Sequence, residues 1–304
     1  MEHLLKLMDL SAGEITDILN LADQLKYEKK HHMVHHRLSG KTLGMIFEKA
    51  STRTRVSFEV GMYELGGNAL FLSGHDLQIG RGEPIEDTAR VLSRYLDGIM
   101  IRTFAQADVE ALARYGSIPI INGLTDYAHP CQVLADLMTI RERKGNLKGL
   151  KICFIGDGNN MAHSLIVGGI KMGMAVSIAC PAGYQPDPVI TAWAQANGTF
   201  TMTESVMDAA CGADVLYTDV WASMGQESEA AERRAAFHAY QIHADVLSSA
   251  APEAMVLHCL PAHRGEEITA DVFESHAAEI FEEAENRLHA QKAVLCMLLG
   301  AEYI

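Results

Sequence analysis

Three hydroxyls and two guanidiniums fall within five consecutive residues, Ser51-Thr52-Arg53-Thr54-Arg55. The chemistry such a run can do is to grip an anion. Hydroxyls donate hydrogen bonds, and arginine adds a planar fork that fits a phosphate or carboxylate in a bidentate way. Thr42–Phe47 before it reads as a short apolar strand, and Phe58, Met62 and Leu65 after it share one helical face until Gly66-Gly67 stops the helix. The run therefore sits where a helix begins, and the first turn already offers free backbone N–H groups and a partial positive charge. A capped helix with solvated arginines gives the same local pattern. The density of donors at a strand-to-helix turn favours a phosphate cradle.

Further chemistry-bearing residues recur at strand ends. Gly98–Arg102 reads as a buried strand ending in Arg102, and a strand over Ile118–Asn122 leads into the loop Asp126–Gln132, which carries His129. Val215–Asp219 ends in an acid and runs into Val220-Trp221-Ala222-Ser223-Met224-Gly225-Gln226; Met255–His258 runs into Cys259-Leu260-Pro261. Ligands of open parallel sheets collect at the carboxyl ends of strands, so these placements carry weight together. A polar loop, Ser73–Pro84, contains Gln78 and is suited to lie over a ligand or to serve as a plain connection. Gly156-Asp157-Gly158-Asn159-Asn160-Met161 has only the first half of a dinucleotide glycine fingerprint, and the next strand, Ala175–Cys180, ends in no acid, which argues against nicotinamide binding. His31-His32-Met33-Val34-His35-His36 has no accompanying carboxylate or cysteine pattern and reads as a solvated connector.

The elements that must position these residues alternate strand and helix in both halves. Helices are expected over residues 5–30, 87–96, 106–115, about 130–144 and 284–299. The βα rhythm predicts an α/β fold of two doubly wound parallel-sheet domains. Gly145-Asn146-Leu147-Lys148-Gly149 marks the boundary, giving domains 1–144 and 145–283, with 284–304 as the C-terminal helix. The chain has 304 residues, 48% hydrophobic and 21% charged, enough for two ordinary globular cores. Its net charge of −14 argues against nucleic acid or an anionic membrane as partner, so an anionic ligand must be held locally, against the overall field. No apolar run approaches the ~20 residues of a membrane span, and the first residues form no signal or transit peptide. The six cysteines, at 131, 153, 180, 211, 259 and 296, form no Cys-x-x-Cys pair, the usage of a reducing, cytoplasmic compartment. Cys153, Cys180 and Cys296 read as buried filler.

Taken together, the motifs Ser51-Thr52-Arg53-Thr54-Arg55, His129-Pro130-Cys131-Gln132, Asp219–Gly225 and His258-Cys259-Leu260-Pro261 resemble the carbamoyltransferase family, in family order. Asp87-Thr88-Ala89-Arg90, Gly156–Asn160 and Glu285-Asn286-Arg287 agree as flanks, so the resemblance spans nearly the whole chain. The last two motifs are similar to those of members that use ornithine as acceptor.

The resemblance implies transfer of the carbamoyl group of carbamoyl phosphate to the δ-amine of L-ornithine, giving L-citrulline and phosphate. It implies that Ser51, Thr52, Arg53 and Thr54 hold the phosphate with Arg102 and Gln78. Thr54, Arg102 and His129 are then expected to donate to the carbamoyl oxygen, where negative charge grows. Gln132, with the main chain of Cys259 and Leu260, is expected to receive the carbamoyl NH2, and Arg287 to complete the pocket from the last helix, which in this family returns to the first domain. On the acceptor side, Asn160 is matched to the α-carboxylate and Asp219, Ser223 and Met224 to the α-amino end. Cys259 and Asp219 are the candidates for deprotonating the δ-amine. No cofactor or metal is expected, because carbamoyl phosphate arrives activated. The residues 223–225 are expected to close on the second substrate. A homotrimer or an assembly of trimers is the expected state. The rivals are a sister transferase acting on putrescine, N-acetylornithine or aspartate, a non-catalytic module on the same fold, and a nicotinamide oxidoreductase.

Overall fold

The computed structural model describes residues 1–74, 77, 82–223, 225 and 227–300. The chain forms two compact units, one of Met1–Ala135 together with the stretch from Arg287 onward, the other of Asp136–Asn286.

In the first unit β1 (Thr42–Phe47), β2 (Asn68–Ser73), β3 (Gly98–Arg102) and β4 (Ile120–Leu124) form a parallel sheet in the order β2-β1-β3-β4. β1 and β3 are buried almost throughout, as parallel strands covered on both faces must be, and this is why they read as unbroken apolar runs. Helices α1 (Ala12–Lys30), α2 (Thr52–Glu64), α3 (Ile85–Leu92) and α4 (Gln106–Tyr115) surround the sheet. Ile46, Ala89, Ile99, Ile101, Val109 and Leu112 pack into one core. Ser11 caps α1 reciprocally with Glu14. Gly61 of α2 faces Leu288, Lys292 and Leu295, and Gly98 faces Leu299, so the C-terminal stretch returns to this unit as expected.

In the second unit β5 (Lys151–Ile155), β6 (Ala175–Ala179), β7 (Phe200–Thr203), β8 (Val215–Thr218) and β9 (Met255–His258) form a parallel sheet in the order β7-β6-β5-β8-β9. The helical elements of this half include α5 (Pro130–Lys144), which begins in the first unit, and α6 (Asn160–Lys171), α7 (Pro188–Asn197) and α8 (Val206–Ala210). They are followed by α9 (Ala230–Phe237), α10 (Ala244–Ser249), α11 (Ala270–Ser275) and α12 (Ala277–Leu299). Ile155, Leu216, Trp221, Phe237, Val256 and Phe273 belong to a single core cluster.

Strand order fixes where each unit can bind. In the first, the chain moves from β1 to β2 on one side and then to β3 on the other, so the connections diverge between β1 and β3, with Phe47 beside Arg102 at their ends. In the second, β6 and β7 lie to one side of β5 and β8 to the other, with Ile155 beside Thr218. Such switch points open a crevice at the carboxyl end of a parallel sheet.

Four readings of the sequence are corrected. Residues 5–10 are not α-helical: Leu4 exchanges main-chain hydrogen bonds with β4, donating to Ile120 at 2.9 Å and accepting from Asn122 at 2.7 Å, and a single short 3-10 helix, Leu7–Asp9, follows. β4 starts at Ile120 rather than Ile118, because Pro119 has no N–H for the ladder and only accepts, from Ile99 at 2.9 Å. The helix expected over 87–96 is shifted to Ile85–Leu92. α12 begins at Ala277 rather than 284, since Ile280 is buried in the second unit's core.

Candidate active site

Ser51 is the N-cap of α2, and its Oγ accepts from the Thr54 N–H at 3.2 Å. The cap aims the first turn of α2 past the end of β1. The Thr54 hydroxyl, wholly buried, also meets Arg287, whose guanidinium donates to Thr54 Oγ1 at 3.1 Å and to Gln132 Oε1 at 2.7 Å. Thr52 is exposed on the same turn. Three motifs distant in sequence are thus tied by one buried arginine.

His129, at the start of α5, and Arg102, at the end of β3, are both buried. Arg287, Arg102 and Arg53 all act electrostatically on His129. Burial first, and then these three guanidiniums in that order, hold its imidazole well below the usual histidine range. The first unit therefore groups three guanidiniums around a neutral imidazole, within a chain of net charge −14. Such a grouping suits a dianion. Lys49 does not add to it freely, because it pairs with Asp126 and lies over the Phe104 ring.

At the switch point of the second unit Asp219 is the centre. Its Oδ1 accepts from the Val220 N–H at 2.8 Å and from the Cys259 thiol at 3.0 Å, and its Oδ2 accepts from the Asn159 amide at 3.0 Å. Three donors converge on one carboxylate, which suits an anion. The Cys259 thiol is pushed well above its ordinary value by burial and by the Asp219 charge, with Glu283 and Asp136 adding to it. At neutral pH it is a donor and not a thiolate.

Asn159 caps α6, accepting from the Met161 N–H at 2.9 Å and the Ala162 N–H at 3.3 Å. Asn160, next in line, is buried at the helix start, and Ser223 is half-buried four residues after Asp219. Leu260 holds φ at 57°, a left-handed conformation that costs a leucine about 1–2 kcal/mol. Its N–H donates to His258 Nδ1 at 2.9 Å, so the ring proton sits on Nε2 and goes to the buried Glu267 at 2.9 Å. The Leu260–Pro261 peptide is cis.

Ser51, Thr52, Arg53, Thr54, Arg102, His129, Gln132 and Arg287 thus lie in the first unit, and Asn160, Asp219, Ser223, Cys259 and Leu260 in the second. Gln78 and Met224, both expected at the site, lie outside the described residues. Sequence reasoning missed Asn159, whose amide reaches Asp219, and Arg233, which donates to Asp157 at 2.8 Å. Position 159 carries a signal, as an Asn just before an apolar helix is a cap. The histidine-rich connector is mostly exposed, with His31 stacked on Tyr27 and His35 beside Glu28.

Known proteins match the chain in two halves. Residues 2–142 match the family model "Aspartate/ornithine carbamoyltransferase, carbamoyl-P binding domain", and residues 148–298 match the corresponding "Asp/Orn binding domain". The chain belongs to the aspartate/ornithine carbamoyltransferase family. Among its relatives, an ornithine carbamoyltransferase of Pyrococcus abyssi is 56% identical over 302 residues, covering 98% of this chain and 95% of its own. One from Carboxydothermus hydrogenoformans is 55% identical over 301 residues, covering 97% of each. The structure of ornithine carbamoyltransferase from Pyrococcus furiosus superposes with a TM-score of 0.94 at 53% identity, covering 98% of this chain and 97% of that one.

Proposed function

We propose that this chain is an ornithine carbamoyltransferase, which moves the carbamoyl group of carbamoyl phosphate to the δ-amine of L-ornithine and releases L-citrulline and phosphate. The observation that carries the reading is the presence of two unlike groupings, one in each unit. One is Arg53, Arg102 and Arg287 around His129; the other is Asp219, with its thiol donor Cys259. The first fits a phosphate dianion and the second an ammonium.

On this reading Ser51, Thr52, Arg53 and Thr54 hold the phosphate, assisted by Arg102 and Gln78. Thr54, Arg102 and His129 donate to the carbamoyl oxygen as it gains negative charge, where one well-placed donor is worth about 3–4 kcal/mol. A neutral imidazole serves that purpose, because it donates without neutralising the phosphate. Gln132 and the main chain of Cys259 and Leu260 receive the carbamoyl NH2, and Arg287 braces Gln132 and Thr54. Asn160 takes the α-carboxylate of ornithine, and Asp219, Ser223 and Met224 take its α-amino end.

The δ-amine attacks only as the free base, yet its ordinary pKa of about 10.4 leaves nearly all of it protonated at neutral pH. A thiol that already carries its proton cannot take another, so the Asp219 carboxylate is the accepting end of the pair and Cys259 its hydrogen-bond donor. An aspartate acceptor is disfavoured by the carboxylate at Asp219, and putrescine by the absence of an α-carboxylate for Asn160.

The working assembly is a homotrimer in the cytoplasm. Val56 and Tyr63 of α2 and Leu70 and Phe71 of β2 are exposed apolar residues, and Arg55 lies 3.8 Å from the Phe71 ring, which makes the two elements' outer surface continuous. Such a patch supports a subunit contact. Light scattering should give a mass three times that of the 33.2 kDa chain. No described helix is long and apolar enough to cross a membrane.

The test is a transfer assay with carbamoyl phosphate and, in turn, ornithine, putrescine, N-acetylornithine and aspartate, with Arg53→Ala as control. Turnover with ornithine that is lost in Arg53→Ala is the expected result. Turnover only with another amine overturns the acceptor assignment.

A further inference from the structure

Arg233 lies in α9, belongs to none of the motifs, and is nevertheless buried, with two of its guanidinium nitrogens making three hydrogen bonds. Nη1 donates to Asp157 Oδ2 at 2.8 Å and to the Trp221 carbonyl at 3.0 Å, while Nε donates to Glu229 Oε2 at 3.0 Å. The group lies 5.3 Å from the Tyr184 ring centroid. The first two contacts join the two turns that carry the acceptor residues. Asp157 belongs to the turn after β5, two residues before Asn159, which bonds Asp219. Trp221 is two residues after Asp219 and two before Ser223, with its indole buried among Phe237 and its neighbours.

We infer that Arg233 is a positioning and specificity residue for the acceptor amine, locking the 157–160 and 219–223 turns into one frame and neutralising Asp157. The inference rests on the reading of Asn160, Asp219 and Ser223 as the acceptor site.

The electrostatic half of the role follows from charge placement. Asp157 and Asp219 repel one another, and Glu229 adds to that field. Were Asp157 unpaired, a cationic substrate would meet two competing carboxylates and lose its single register. Arg233 cancels one and leaves Asp219 to define where the amine goes. A fork serves this better than an ammonium, because Nη1 meets Asp157 and the Trp221 carbonyl while Nε meets Glu229, and a lysine has no second nitrogen.

The experiment is steady-state kinetics on Arg233→Gln, Arg233→Lys, Glu229→Gln and Asp219→Asn, with carbamoyl phosphate binding measured separately. Arg233→Gln is expected to raise the KM for ornithine about tenfold and leave carbamoyl phosphate affinity within about twofold, with Arg233→Lys between it and wild type. Glu229 is more than half exposed and its change leaves the fold intact, so Glu229→Gln tests the frame even where Arg233→Gln fails to fold; a rise in KM of about two- to threefold is expected. An unchanged ornithine KM in both Arg233→Lys and Glu229→Gln, with only a lowered melting temperature, overturns the positioning role. Asp219→Asn separates the two claims. If it too leaves ornithine KM unchanged, the acceptor site itself is misplaced; if it raises KM while the Arg233 and Glu229 variants do not, only the role of Arg233 falls.

Discussion

The Cys259 thiol donates to the Asp219 carboxylate across 3.0 Å, joining the ends of two neighbouring strands, β9 and β8. A thiol in that position is held in its protonated form by the anion that accepts from it, so the pair has one proton donor and one proton acceptor. This assigns opposite duties to two residues that the sequence offers as equals.

The first prediction concerns that thiol. Burial and Asp219 raise its proton affinity well above the ordinary cysteine value, so its thiolate fraction near pH 8 lies far below that of a free cysteine. Iodoacetamide at pH 8, followed by peptide mass spectrometry, should label the exposed Cys211 long before Cys259. Faster labelling of Cys259 would show it to be a thiolate.

His129 carries a second prediction, on stability. Its folded-state pKa is depressed, so its contribution is fully present above the ordinary histidine range and is lost as pH falls below it, where the unfolded chain takes up a proton that the folded chain refuses. The slope is at most about 1.4 kcal/mol per pH unit for one group. Urea unfolding at pH 7.5 and 5.5 should show a smaller difference for His129→Gln than for wild type.

Arg53 and Arg287 should separate activity from stability. Arg287 satisfies the buried Thr54 and Gln132, so Arg287→Ala leaves buried polar groups unmatched and is expected to cost about 3–5 kcal/mol along with activity. Arg53 is only half-buried, and Arg53→Ala should abolish turnover with a much smaller change in melting temperature. Equal destabilisation by both would contradict the division between phosphate ligand and brace.

Glu283 is a buried acid that accepts from the Tyr217 hydroxyl at 3.0 Å and from the His258 N–H at 2.9 Å. Burial raises its proton affinity against the hydrogen bonds that favour its charge, so stability is lost as pH rises through its titration. Glu283→Gln keeps an acceptor and should cost under about 2 kcal/mol, whereas Glu283→Leu strands both donors and should cost about 3–5 kcal/mol. Thermal unfolding of the two variants checks the order.

The parts legible in the sequence are those with strong local signatures. Thr42–Phe47 and Gly98–Arg102 read correctly because both faces of each strand are covered, and the Ser51 cap shows in a hydroxyl just before a helical face. β7 left little trace, since Phe200–Thr203 is a sheet edge with no fully buried residue. The first turns of α12 were hidden because Glu283, acidic in sequence, faces inward to Tyr217. Arg233 was illegible for a similar reason. Its partners Asp157 and Trp221 are 76 and 12 residues away, and only the folded chain shows that they share one guanidinium.

The most direct test of the two groupings is calorimetric titration of carbamoyl phosphate into wild type, Arg53→Ala and Asp219→Asn. Binding should be lost in Arg53→Ala by about 100-fold or more and retained within about twofold in Asp219→Asn, because independent sites do not share their losses. Undiminished binding to Arg53→Ala, or equal loss in both variants, would contradict the assignment of the phosphate to the first unit.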